Sequence, residues 1–97
     1  MAKYVMLVNW TDQGIRNVKD TVTRAKAARK AFEAHGVKMG EMNWTLGQYD
    51  MVLTAEAPND ETITKVGLSL GASGNVRSTT LRAFDEAEME AMLKSIF

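Results

Sequence analysis

The sequence predicts an α+β domain ordered strand, helix, strand, strand, helix, strand, with a further helix at the end. Three observations carry this. Tyr4 to Val8 is an unbroken apolar run with β-branched and aromatic members, the pattern of a strand buried on both faces. Ile15, Val18, Val22, Ala25, Ala28 and Phe32 recur at three- and four-residue spacings, which gives a helix one apolar stripe. Met51, Leu53, Ala55 and Ala57 alternate with Val52, Thr54 and Glu56, so a strand there has one wholly apolar face.

The elements follow in order. After the first strand, Thr11 or Asp12 caps a long helix by satisfying free N–H groups of its first turn. Gly36, following His35, supplies the left-handed residue that ends it. Val37 to Leu46 reads as a more polar strand at a sheet edge. Gly47-Gln48 suits a two-residue hairpin turn, with glycine where φ must be positive. The third strand stops at Pro58. Asn59 or Asp60 then caps a shorter helix running through Leu70, with Ile63, Val66 and Leu70 turned inward and Gly71 and Gly74 closing it. Asn75 to Phe84 is the fourth strand. Asp85 with Glu88 forms a capping-box start to a last helix bearing Met89, Met92, Leu93 and Ile96.

Length and composition narrow the function classes. Ninety-seven residues make one domain, 1–97, with a single core. Twelve basic and twelve acidic side chains cancel, so no net field draws nucleic acid or an anionic membrane surface. Without cysteine there is no disulfide framework, thiolate nucleophile or sulfur-ligated metal. His35, the one histidine, reads as a helix-end residue and not as a metal ligand, because zinc sites need three or four donors. No cofactor and no metal are expected. The first apolar run is too short for a signal-peptide core or a membrane span, so the protein is read as soluble and cytoplasmic.

The element order is the split βαβ plan of ferredoxin-like domains. Right-handed crossovers then give an antiparallel sheet in the order 4-1-3-2. That topology gathers distant residues at one rim: Trp10, Trp44, Tyr49, Asp50, Asn75 and Arg77, beside the N-terminus of the long helix. Two helices cover only one side of four strands. With Met51, Leu53 and Ala55 toward the helices, the other face carries Asp50, Val52, Thr54 and Glu56. Tyr4, Met6, Val8 and Trp10 are expected to share that open face, where a second copy, the last helix or a ligand would cover them.

The segment "TLGQYDMV" resembles the signature of the GYD domain family, with Gly47, Gln48, Tyr49 and Asp50 at the motif and Gln48 inside the named triplet. "WTDQG", "APNDET" and "GNVRSTTLRAF" are also similar, so the resemblance spans nearly the whole chain. It implies a ferredoxin-like fold of the dimeric α/β-barrel kind and implies no activity.

Two kinds of role remain open for the rim. Tyr49 and Asp50 are candidates for a general acid/base pair, or Asp50 accepts hydrogen bonds from hairpin or helix-start N–H groups while Tyr49 packs across strands. Trp10 and Trp44 are candidates to stack on a flat ligand, with Arg77 pairing its anionic group, or they fill an interface between copies. The reading adopted is a homo-oligomer joined through the sheet face, with a small organic ligand at the rim. A cofactor-free oxygenase or isomerase is the alternative by fold analogy. A purely structural or regulatory oligomer is the third.

Overall fold

Strand β1 (Ala2–Trp10) runs through the middle of an antiparallel sheet in the computed structural model, which describes residues 1–97. It is followed by α1 (Asp12–Arg16), a 3₁₀ turn (Val18–Asp20), α2 (Thr21–Ala34), β2 (Lys38–Trp44) and β3 (Met51–Ala57). Helix α3 (Asp60–Ala72), β4 (Val76–Ala83) and α4 (Glu86–Ile96) complete the chain. The strands stand in the order β2-β3-β1-β4, every neighbour antiparallel. This is the ferredoxin-like arrangement with one helix added.

The expected long first helix is broken. Asn17 leaves helical geometry, at φ −103° and ψ 25°, and its side-chain amide donates to the Gln13 carbonyl at 3.0 Å. Such local bonds compete with the helical ladder. Arg24 then donates to the Asn17 carbonyl at 2.8 Å, and α2 starts after the 3₁₀ turn. The start of α1 docks on the α3–β4 loop. Thr11 N–H donates to Asn75 O at 3.1 Å, the Thr11 hydroxyl donates to Gly74 O at 2.6 Å, and it accepts from Gly14 N–H at 3.1 Å.

The face assignment of β1 has to be corrected. Tyr4, Met6 and Val8 pair with Ala55, Leu53 and Met51 and lie with them beneath the helices, in one cluster of thirteen buried apolar residues. The open face instead carries Lys3, Val5, Leu7 and Asn9. An all-apolar run has no alternation to reveal its parity, whereas one slip in register exchanges the faces. Tyr4 is buried to 2 % exposure, and its hydroxyl donates to Asp60 Oδ1 at 2.5 Å at the start of α3. Burial, then that bond, pushes the phenol pKa upward.

Two further departures lie in the β2–β3 hairpin. Met39 pairs with Ala55 but Met42 with Leu53, so β2 carries a bulge of one extra residue. Arg29 donates to the Met39 and Gly40 carbonyls there, at 2.9 and 3.1 Å. The bulge returns Met42 and Trp44 to the helix side. The turn is also wider than two residues: Thr45 N–H donates to Asp50 O at 2.9 Å across a loop in which Gly47 has φ 121°.

At the opposite end of the sheet, α4 begins with a complete capping box between Asp85 and Glu88. Lys3 pairs with Asp85 at 3.1 Å, and the Arg82 guanidinium sits 4.4 Å from the Phe84 ring centre. Beyond this anchored start no residue of α4 is buried. The Cα radius of gyration is 14.7 Å, against about 12.5 Å for a compact chain of this length.

Candidate functional site

The rim residues divide between the two faces of the sheet. Trp10 and Trp44 face the helices, Trp44 donating from Nε1 to Thr21 Oγ1 at 3.1 Å. Arg77 follows Val76, which pairs with Trp10 and is buried, so Arg77 falls on the open face opposite Asn9 and is exposed. Asn75 bridges the loops, its Oδ1 accepting from Gln13 Nε2 at 3.0 Å. Asp50 Oδ2 accepts from the Trp10 backbone N–H at 2.9 Å, and Asp50 N–H donates to Val8 O at 2.9 Å. Its carboxylate therefore ties the end of β1 to the hairpin. The Tyr49 carbonyl accepts from the Thr45 hydroxyl at 2.5 Å, which holds the same loop.

On the helix side, a cleft of about 300 Å³ lies between α2 and α3 over the sheet. Its origin is local. Helix α2 turns Ala25, Ala28 and Ala31 toward α3, and side chains of that size leave the space unfilled. The floor is Met39, Met42, Met51 and Leu53, with Trp10 and Val76 at the rim end and Phe32 toward the other. Arg24 and Asn75 are among the polar lining residues. The Trp10 indole N–H is buried and has no hydrogen-bond partner. A buried donor left unpaired costs about 1–3 kcal/mol.

The open face is a second candidate surface. Val5, Leu7 and Val52 are half-buried at its middle and Leu81 is 46 % exposed. Lys3, Lys38 and Glu56 ring one end, where a shallow concavity forms beside Gly40 and Thr54. Helix α4 adds an unpartnered apolar stripe: Met89 and Leu93 are 45 and 47 % exposed and Ile96 is 69 % exposed. Contiguous apolar surface of this kind marks interaction sites.

With this geometry, residues 4–93 match the GYD domain family. The chain belongs to that family. The GYD domain is also 30 % identical over 95 residues to a protein of Thermus thermophilus named glutamine synthetase and cystathionine beta-lyase binding protein. The match covers 97 % of this chain and 100 % of that relative. The segment Gly47 to Asp50, which carries the resemblance to the family's motif, thus has a visible structural task in this GYD domain. Its glycine opens the loop, and its acid fastens that loop to the central strand.

The cleft and the projecting α4 escaped sequence reasoning. Alanine at helical spacing satisfies an apolar template without showing how little volume it fills. The run of Ala25, Ala28 and Ala31 above three methionines was the available signal.

Proposed function

We propose that this GYD domain is a binding protein that associates with metabolic enzymes and does so as a homo-oligomer joined through the open sheet face. The observation that carries the reading is surplus surface. The chain exposes 6552 Å², whereas a compact monomer of its 10.7 kDa mass exposes about 5,500 Å². The excess of about 1,000 Å² is on the scale of one partner's share of a stable interface, about 800 Å². The bare middle of the sheet and the α4 stripe supply that surface. The relative's name supports protein partners of the glutamine synthetase and cystathionine beta-lyase kind. On this reading the domain acts in the cytoplasm, which a cysteine-free chain suits.

The test mixes the domain with each of those two enzymes and follows sedimentation velocity. Co-sedimentation with either enzyme is expected, and the free domain should run larger than a monomer. Leu81→Glu, which places a charge on the open face, should shift the free domain to monomer. A wild-type chain that stays monomeric and binds neither enzyme at micromolar concentration overturns the reading.

A second reading, a small organic ligand on the helix side of the rim beside Trp10 and Asn75, is favoured by the cleft; Arg77 on the opposite face and Asp50, bonded to the Trp10 N–H, take no part in it. Trp10 and Asn75 line it, and Trp44 stands on the same side, bonded to Thr21.

A further inference from the structure

We infer that the cleft between α2 and α3 is a binding site for a small apolar organic anion, a carboxylate on an aromatic or short aliphatic body. The inference rests on the second reading above and names its ligand class. Three features of the cleft decide that class.

Size comes first. About 300 Å³ lies at the lower end of small-ligand pockets and gives room for about ten water-sized groups. Most of the lining is apolar, and the floor methionines are unbranched and adapt to the shape laid on them. An apolar body of one ring with a short extension matches that space.

Charge comes second. No aspartate or glutamate lines the cleft, while Arg24 does. Arg24 makes no ion pair; its guanidinium donates to the carbonyls of Asn17 and Gly14, at 2.8 and 3.4 Å. A guanidinium has five N–H donors, so others remain for an incoming carboxylate. The half-buried position of Arg24 weakens solvent screening of that contact.

The balance of donors and acceptors comes third. The Trp10 ring lines the cleft, while its unpaired indole N–H is closed to solvent and presents no surface there. The remaining polar lining, Thr21, His35, Ser69, Ser73 and Asn75, can donate to an incoming carboxylate, and no acid opposes one.

The experiment uses the full chain labelled with ¹⁵N and follows its two indole N–H resonances, assigned by Trp44→Phe, during titration with cinnamate and with its uncharged isostere cinnamamide. Cinnamate should shift the Trp10 indole signal saturably, and cinnamamide should bind about tenfold more weakly, the factor of one charge-assisted hydrogen bond. Arg24→Met should erase the difference between the two while cinnamamide binding persists, which also shows that the cleft is intact. Ala28→Leu, which fills the cleft, should abolish both shifts with the rest of the spectrum preserved. Equal affinity of the wild-type chain for the two compounds overturns the anion assignment and leaves the small-ligand reading standing. No saturable change at the Trp10 indole with either compound, or changes confined to the open face and α4, overturns both.

Discussion

A methyl group added at Gly14 would stand 1.9 Å from the Asn75 carbonyl oxygen, a contact with backbone that no rotamer change relieves. Gly14 is where α1 touches the α3–β4 loop, so the clash would part the bonds that Thr11 makes to Gly74 and Asn75. Helix propensity alone favours alanine by about 1 kcal/mol. Overpacking opposes it by about 1–3 kcal/mol and wins here, because the obstacle is main chain. Gly14→Ala, at a net cost of up to about 2 kcal/mol, should therefore lower Tm by up to about 15 °C for a domain of this size, read by thermal melting. Gly67→Ala is the matched control: nothing lies within 4 Å of its added methyl, and it should raise stability by about 0.5–1 kcal/mol. Individual residues were legible to different degrees. The oxygen caps at Thr11, Asn59 and Asp85 stand where their residue types predict. The role of Asp50 as acceptor for a strand N–H was one of the two readings its position allowed. Its particular partner, Trp10 N–H, depends on a register that local sequence does not display.

Among the elements, β3 and α3 were the most legible, because each carries a clean period, two for the strand and 3.6 for the helix. The bulge in β2 hid its parity: in "VKMGEMNW" the helix-side residues are Val37, Met39, Met42 and Trp44, and one extra residue breaks the alternation. Helix α4 was legible as a helix, since its capping box is local, yet nothing local says what its apolar stripe rests on. Its attachment is electrostatic and therefore responds to pH. The Glu88 backbone N–H and the Lys3 ammonium hold the Asp85 carboxyl below the usual carboxylate range, and the same partner raises Lys3. A depressed carboxyl contributes stability above its unfolded value, near 4, and loses it as pH falls through the folded value. The raised ammonium contributes below its own unfolded value and loses that contribution as pH rises through the folded one. The α4 anchor should thus hold from about pH 4 to about pH 10 and loosen in acid before the core does. Backbone amide exchange of residues 86–96, compared with that of β1, checks the order. Asp85→Asn should remove the acid dependence, and if protection of α4 then still falls in parallel with wild type, the anchor lies elsewhere.

At the scale of the whole molecule, a ferredoxin-like sheet in the order 4-1-3-2 was legible because connection handedness and element order leave few alternatives. Which apolar residues the open face bears was not, since two parities of one apolar strand fit the same pattern. The correction changes what the open face offers: Val5, Leu7, Val52 and Leu81 in place of Tyr4, Met6, Val8 and Trp10. This is a milder surface, flanked by charge, and it suits association between folded copies better than permanent burial. If copies associate through it as proposed, stability should depend on protein concentration, because a partner that binds only the folded state raises Tm by mass action. The core is complete without α4, whose residues are none of them buried. Replacing Met89 and Leu93 by glutamate should accordingly leave the fold in place, judged by near-ultraviolet circular dichroism. If the α4 stripe supplies part of the contact between copies, the wild-type Tm climbs across a hundredfold concentration series while that of the double variant stays level. A wild-type Tm that does not move with concentration would mean that the surplus surface is reserved for other proteins, and the enzyme-binding role would then have to be carried by a monomer.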